Sequence, residues 1–327
     1  MSDMGFLTWW TVPDVSVPYA DLMQLAGRVG LPGDCVPKPP SSRHAWEKAT
    51  NVGGQRGLKL EPPAQLADQI FMQYGAPPVI RLLTRRVSDS APLLRRHLVR
   101  EASIPTSGDH WKQLSLQTVA VLEFDCAHQR AGSTYVYDQE GWTNGNVPGV
   151  VAQIDDKYRH LLHHADGDDV RTGVRKLLEQ LYRVGLRGTG GVYFVPEHDG
   201  AETQLQALRA YIRSLSIWQV GKLRPSCNVV RLHGEEAENL KEEIIESATD
   251  EFKKRLADLS DKIEPLLHGH VSGRQADRIA EGATNDLLLI QAAVRAYQHS
   301  LDDDLTTIAD MLNMAEGAVS KALGLVV

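Results

Sequence analysis

The chain has 327 residues, 42% of them hydrophobic and 24% charged, with 35 Lys+Arg against 42 Asp+Glu and a formal net charge of −7. These proportions exclude collagen-like, wholly disordered and disulfide-scaffold classes, and at roughly 100–200 residues per domain the length suggests two domains able to bury a core. The mild acidity argues against a general coat for nucleic acid, which needs a positive surface to release counterions, but leaves room for a local basic face.

The N-terminal segment MSDMGFLTWWTVPDVSVPYADL lacks a basic stretch followed by an apolar one, and no segment approaches the roughly 18 apolar residues of a membrane span. A cytoplasmic protein without membrane contact is the expectation. Cys35, Cys126 and Cys227 form no CxxC pair and are read as reduced, structural thiols. A short helix is expected over Tyr19–Val29, with Leu22, Leu25, Ala26 and Val29 on one face. The proline-rich LPGDCVPKPPSSR then leads to a second short helix over 44–49, and 64–74 is compatible with either helix or strand. From Pro78, β-compatible runs separated by SDSAP and PTSGD predict a three-stranded meander.

A Gly-rich loop over 141–149 precedes two helices over 150–164 and 170–184. They are broken by Ala165-Asp166-Gly167-Asp168, a helix stop followed by an aspartate suited to cap the next helix. The run GTGGVYFVP reads as a buried strand, followed by a helix over 201–215 and a strand over 227–232. Its glycines, Gly188, Gly190 and Gly191, precede a strand, whereas a phosphate-cradling loop follows one, so nucleotide binding is not expected there.

In the last third, Ile245, Ala248, Phe252, Leu256, Leu259, Ile263 and Leu266 recur at alternating steps of three and four, and Ile279 to Leu301 resumes the pattern through Leu287, Ile290, Val294 and Tyr297. Two long helices joined at LLHGHVSG predict an antiparallel hairpin, its Glu-rich start placed at the positive end of a helix dipole. The expected class is therefore α+β: a mixed sheet of about five strands with packed helices, then the hairpin and a short C-terminal helix pair. The expected divisions are 1–60, 61–234 and 235–327.

Three clusters are candidates for function. Arg81, Arg85, Arg86, Arg95, Arg96 and Arg100 crowd two consecutive strands and could form a phosphate-binding surface, although strand alternation sets Arg81 and Arg85 against Arg86. Solvated edge-strand charge is the competing reading. Asp156, His160 and His164 stand at i, i+4 and i+8 of a predicted helix, a spacing that permits a metal without requiring one, and no cofactor is expected. The seam residues Ile245, Phe252, Leu256, Leu259, Ile263, Ile290, Val294 and Tyr297 are candidates for an oligomer or partner interface.

The C-terminal TTIADMLNMAEGAVSKALG resembles the helix-turn-helix segments of phage repressors and related regulators, with Ala309 and Leu312 in a first helix and Ala318, Val319 and Leu323 packing a second. It departs from them in having Asn313 where the turn glycine is usual. The resemblance implies a recognition helix presenting Glu316, Ser320 and Lys321, with Ser320 and Lys321 as the nucleic-acid contacts. The N-terminal VPKPPSSRHAWEKAT, the Arg-rich meander and RVGLRGTGGVYFVP together are similar to an uncharacterised family of phage and prokaryotic proteins over about residues 5–235. That resemblance implies a mobile-element or phage-conflict context and supplies no activity.

The leading expectation is a non-enzymatic nucleic-acid-associated protein, binding through the basic strands and oligomerising through its C-terminal helices. The alternatives are a subunit of a larger assembly, docked through the hairpin seam and Trp9/Trp10, and a metal-dependent hydrolase using Asp156, His160 and His164.

Overall fold

A computed structural model describes residues 4–52, 57–62, 64–88, 92–106, 111–135, 146–186, 191–303 and 305–326. The loop over 141–145 and Gly188 and Gly190 lie outside the described residues. In chain order the elements are β1 (Gly5–Thr11), β2 (Ser16–Pro18), α1 (Tyr19–Val29), α2 (Ser42–Ala49), β3 (Leu58–Leu60), α3 (Ala64–Tyr74), β4 (Val79–Ser88), β5 (Leu93–Pro105), β6 (Trp111–Asp125) and β7 (Arg130–Tyr135). There follow α4 (Asn146–His163), β8 (His164–Asp166), α5 (Gly167–Gln180), β9 (Val184–Gly185), β10 (Tyr193–Pro196), α6 (Ala201–Ser214), β11 (Ser226–Leu232), α7 (Gly234–Leu267), α8 (Arg274–Leu301) and α9 (Thr306–Val326).

The α+β class holds, but the chain divides differently from the sequence reading. One compact unit joins Met1–Pro37 to Asp166–Val327, and the other is Lys38–Ala165. Boundaries at 60 and 234 do not survive, because β1 pairs antiparallel with both β10 and β11, so the N-terminal strand completes a sheet of order β11-β1-β10-β9. The second unit holds its own five-stranded sheet, β3-β4-β5-β6-β7, in sequence order and antiparallel throughout rather than mixed. Five expected strands thus belong to two sheets.

In the first unit, Asp166 caps α5 as expected: its Oδ1 accepts from the Asp168 and Asp169 N–H groups at 2.9 and 3.0 Å, and Asp169 Oδ2 accepts from the Asp166 N–H at 3.1 Å. This reciprocal cap satisfies donors that a helix start otherwise leaves unpaired. Further along, α7 and α8 form the expected hairpin. The Phe252 and Tyr297 rings meet edge-on at 5.4 Å, and Lys262 Nζ lies 2.6 Å from Asp286 Oδ2, so positions rising along one helix meet positions falling along the other.

The seam proposed as an interface is internal. Phe252, Leu256, Leu259, Ile263, Ile290, Val294 and Tyr297 are buried, and Ile245 is partly so, in one core with Phe194, Leu232 and Met4 of the sheet. The reason is α9. The segment read as two helices with a turn is one helix, in which Ile308, Ala315, Val319 and Ala322 are buried and Met311, Leu312 and Ala318 partly buried, an unbroken 3.6-residue stripe across Asn313. This face packs on both α7 and α8. The apolar residues that suggested a steep helix crossing serve a three-helix bundle instead.

In the second unit the sheet packs one face on α2 and α4. Trp46, Ile80, Leu82, Leu98, Leu122, Phe124, Val151 and Ile154 make its core. Ser41 Oγ caps α2 by accepting from the His44 N–H at 3.2 Å.

Candidate nucleic-acid interface

Strand alternation decides what the six arginines can do. On β4 and β5 the cross-strand pairs Leu82↔Arg100, Thr84↔Leu98 and Arg86↔Arg96 share the helix-covered face with Ile80 and Ala102, whereas Arg81↔Glu101 and Arg85↔His97 point to the other side, as does Arg95. The cluster is therefore split in half.

The helix-side arginines hold the fold together. Arg96 Nη1 donates to the Glu47 carbonyl oxygen at 2.9 Å and to Thr50 Oγ1 at 2.7 Å, and the guanidinium lies 5.2 Å from the centre of the Trp46 ring. A cation there meets the negative end of α2. Arg100 is buried and donates from Nη2 to Gln117 Oε1, its cross-strand neighbour on β6. Neither is available as an open phosphate contact, and of this half Arg86 alone is exposed.

The other face is different in kind. Arg95 pairs with Glu123, directly opposite it on β6, at 2.6 Å from Nη2 to Oε1, and so is partly neutralised. Arg81 sits 5.2 Å from the centre of the Trp111 ring on this face, while Lys112, the next residue of β6, points to the opposite side, where its Nζ sits 5.2 Å from the centre of the Tyr74 ring. Trp111 is 49% exposed, Arg85 is exposed four residues beyond Arg81 on β4, and Phe71 and Tyr74 of α3 are also exposed. Sequence reasoning missed Trp111, Lys112 and Tyr74. The signal was available only as an aromatic-cation pair opening the third meander strand, and it needed α3 to be a helix before Tyr74 could come near.

Charge follows the same division. Residues 38–165 contain 15 Lys+Arg against 12 Asp+Glu, a net +3, which leaves −10 for the rest of the chain. Ser320 and Lys321 are exposed on α9 but belong to the acidic unit, and α9 offers no recognition helix separated by a turn. The proposed metal triad is likewise not assembled: among the described residues no group of three His, Cys, Asp or Glu side chains could hold an ion. His160 and His164 instead stack ring on ring at 4.4 Å, with Asp156 exposed a turn earlier on α4.

Both buried thiols are inert by position. Burial, then the neighbouring Asp34 carboxylate, pushes the Cys35 thiol up to about 11, and burial likewise raises that of Cys227. Among the described residues no helix is long and apolar enough to cross a membrane.

Fold and site together define a two-unit α+β protein whose smaller unit, inserted into the larger, presents an exposed cation-aromatic sheet face. The chain belongs to DUF6744, a family of unknown function, whose model matches residues 3–324. No curated protein and no solved structure matches it.

Proposed function

We propose that residues 38–165 bind single-stranded nucleic acid on the sheet face that carries Arg81, Arg85 and Trp111. The observation that carries this reading is the half-exposed Trp111 ring with the Arg81 guanidinium 5.2 Å from its centre. A ring offers a stacking surface to any unpaired base, worth about 1–3 kcal/mol per base, while the neighbouring cation neutralises the backbone. A duplex hides its base faces, so such a surface favours single strands. The positive balance of this unit in an acidic chain is a second support. The reading is of binding, with no reaction assigned, and a cytoplasmic setting in a phage or prokaryotic mobile element belongs to the same proposal.

Fluorescence anisotropy of labelled single- and double-stranded oligonucleotides at two salt concentrations tests it. Trp111→Ala should weaken single-strand binding by roughly tenfold, from the loss of one stacking platform. Arg81→Glu with Arg85→Glu should lower both the affinity and the salt slope. Binding that ignores all three substitutions, or no binding at low salt, would overturn the proposal.

A further inference from the structure

At one end of the first unit's sheet lies a segment unlike the rest of that acidic unit. No acidic residue occurs between Glu202 and Glu235. Within this stretch Ile217, Val220 and Leu223 are 78%, 57% and 70% exposed, with Lys222 and Arg224 exposed among them. The segment is ordered, not loose: the Val220 N–H donates to the Asp14 carbonyl at 2.8 Å, and Gln219 Nε2 donates to the Gly221 carbonyl at 2.6 Å. Three large apolar side chains held out to water on a fixed turn, interleaved with two cations, have the composition of an interaction surface rather than of a chance exposure.

The opposite end of the same sheet carries the complementary feature. A groove of about 380 Å³ is lined by Glu235, Glu238 and Asp302 over an apolar floor of Met4, Ala237 and Leu301, with Lys241 the one cation among its described lining residues. Further exposed acids, Glu242, Glu243 and Glu246, continue along α7. The two features are joined by β11, which begins just after Arg224 and ends just before Gly234. Seven residues at about 3.3 Å each hold them roughly 20 Å apart, beyond a Debye length at physiological salt. Within one copy they cannot neutralise one another.

We propose that the protein self-associates head to tail, the 217–224 segment of one copy seating Leu223 in the groove at the start of α7 of the next, with Lys222 and Arg224 against Glu235, Glu238 and Asp302. A second copy is the occupant this chain itself supplies: acidic groove and basic apolar turn match in charge and in the order apolar centre, charged flanks. Because the two surfaces differ, the contact is heterologous, and successive copies form a ring or an open filament rather than a closed two-fold dimer. It does not use the α7–α8 seam.

The test is sedimentation velocity on the full chain over a wide concentration range at low and high salt. Wild type should associate reversibly, less so at high salt. Lys222→Glu with Arg224→Glu, both on an exposed segment, should raise the dissociation constant by roughly tenfold or more through like-charge repulsion. Glu235→Lys with Glu238→Lys should do the same, Glu238→Lys alone replacing the pair if circular dichroism shows lost helix. An equimolar mixture of the two variants should regain association, since the acidic turn of one then fits the basic groove of the other. Wild type that stays monomeric at every concentration, turn variants that associate like wild type, or folded variants whose mixture fails to recover would each overturn the proposal.

Discussion

Replacing Phe252 with alanine distinguishes an internal seam from one shared between chains. Phe252 is 1% exposed, and its ring meets Tyr297 at 5.4 Å and 87°, while Tyr297 in turn meets Phe194 of β10 at 5.8 Å. Truncating a buried phenylalanine costs about 3–5 kcal/mol, of which the edge-to-face ring pair accounts for roughly 0.5–1.5. For a unit of this size each kcal/mol lowers the melting temperature by about 2–4 °C, so a loss near 4 kcal/mol predicts a fall of about 8–16 °C. Differential scanning calorimetry at two protein concentrations measures it. Because Phe252, Tyr297 and Phe194 belong to one chain, the fall should not depend on concentration. A shift below about 3 °C, or a fall between wild type and variant that itself changes with protein concentration as mass action requires of an intermolecular core, would refute the reasoning.

The continuity of α9 predicts that Gly317→Ala, with no atom within 4 Å of the added methyl, stabilises the protein by up to about 1 kcal/mol in urea unfolding. Gly173→Ala in α5 should do the reverse, a loss of about 1–3 kcal/mol in the same assay, because its methyl would lie 2.2 Å from the backbone oxygen of Cys35. Arg96→Ala should destabilise by about 2–3 kcal/mol through the loss of its charged hydrogen bonds to the Glu47 carbonyl and Thr50 Oγ1 and of its contact with the Trp46 ring, whereas Arg85→Ala should stay within about 0.5 kcal/mol and be felt in oligonucleotide binding instead. Cys35, with its thiol pushed up to about 11, is ionised to only about one part in a thousand at pH 8, so iodoacetamide labelling of native protein should spare Cys35 and buried Cys227 and reach Cys126. Labelling of Cys35 as fast as Cys126, followed by peptide mass mapping, would contradict its burial.

The elements with strong local periodicity were legible without coordinates. Tyr19–Val29, the meander, the Asp166 cap and the two long C-terminal helices carry their own signals of spacing and capping. What escaped depends on partners distant in sequence. GFLTWWT shows no clean alternation because β1 lies between β10 and β11, with Phe6 and Thr8 facing one layer and Leu7 the other. The α9 stripe fits a helix pair as well as a single helix until α7 and α8 supply its packing surface. Strand alternation separates Arg81 and Arg85 from Arg86 in the sequence itself but does not tell what each cation does, since its role is set by what stands opposite: Glu123 for Arg95, Trp46 for Arg96, Trp111 for Arg81. Composition carries no trace of that choice.

The insertion of Lys38–Ala165 into the larger unit also fixes the order in which the polypeptide can assemble as it is made. Residues 38–165 are contiguous and contain every partner their sheet needs, so they can fold as soon as they are free of the ribosome. The strand Gly5–Thr11 is synthesised first and finishes last: its neighbours Tyr193–Pro196 and Ser226–Leu232 do not exist until some two hundred residues later, which at 5–20 residues per second is a wait of roughly 10–45 seconds. For that interval a segment bearing Trp9 and Trp10 is an unpaired, tryptophan-rich strand, and its safekeeping falls to whatever meets the nascent chain.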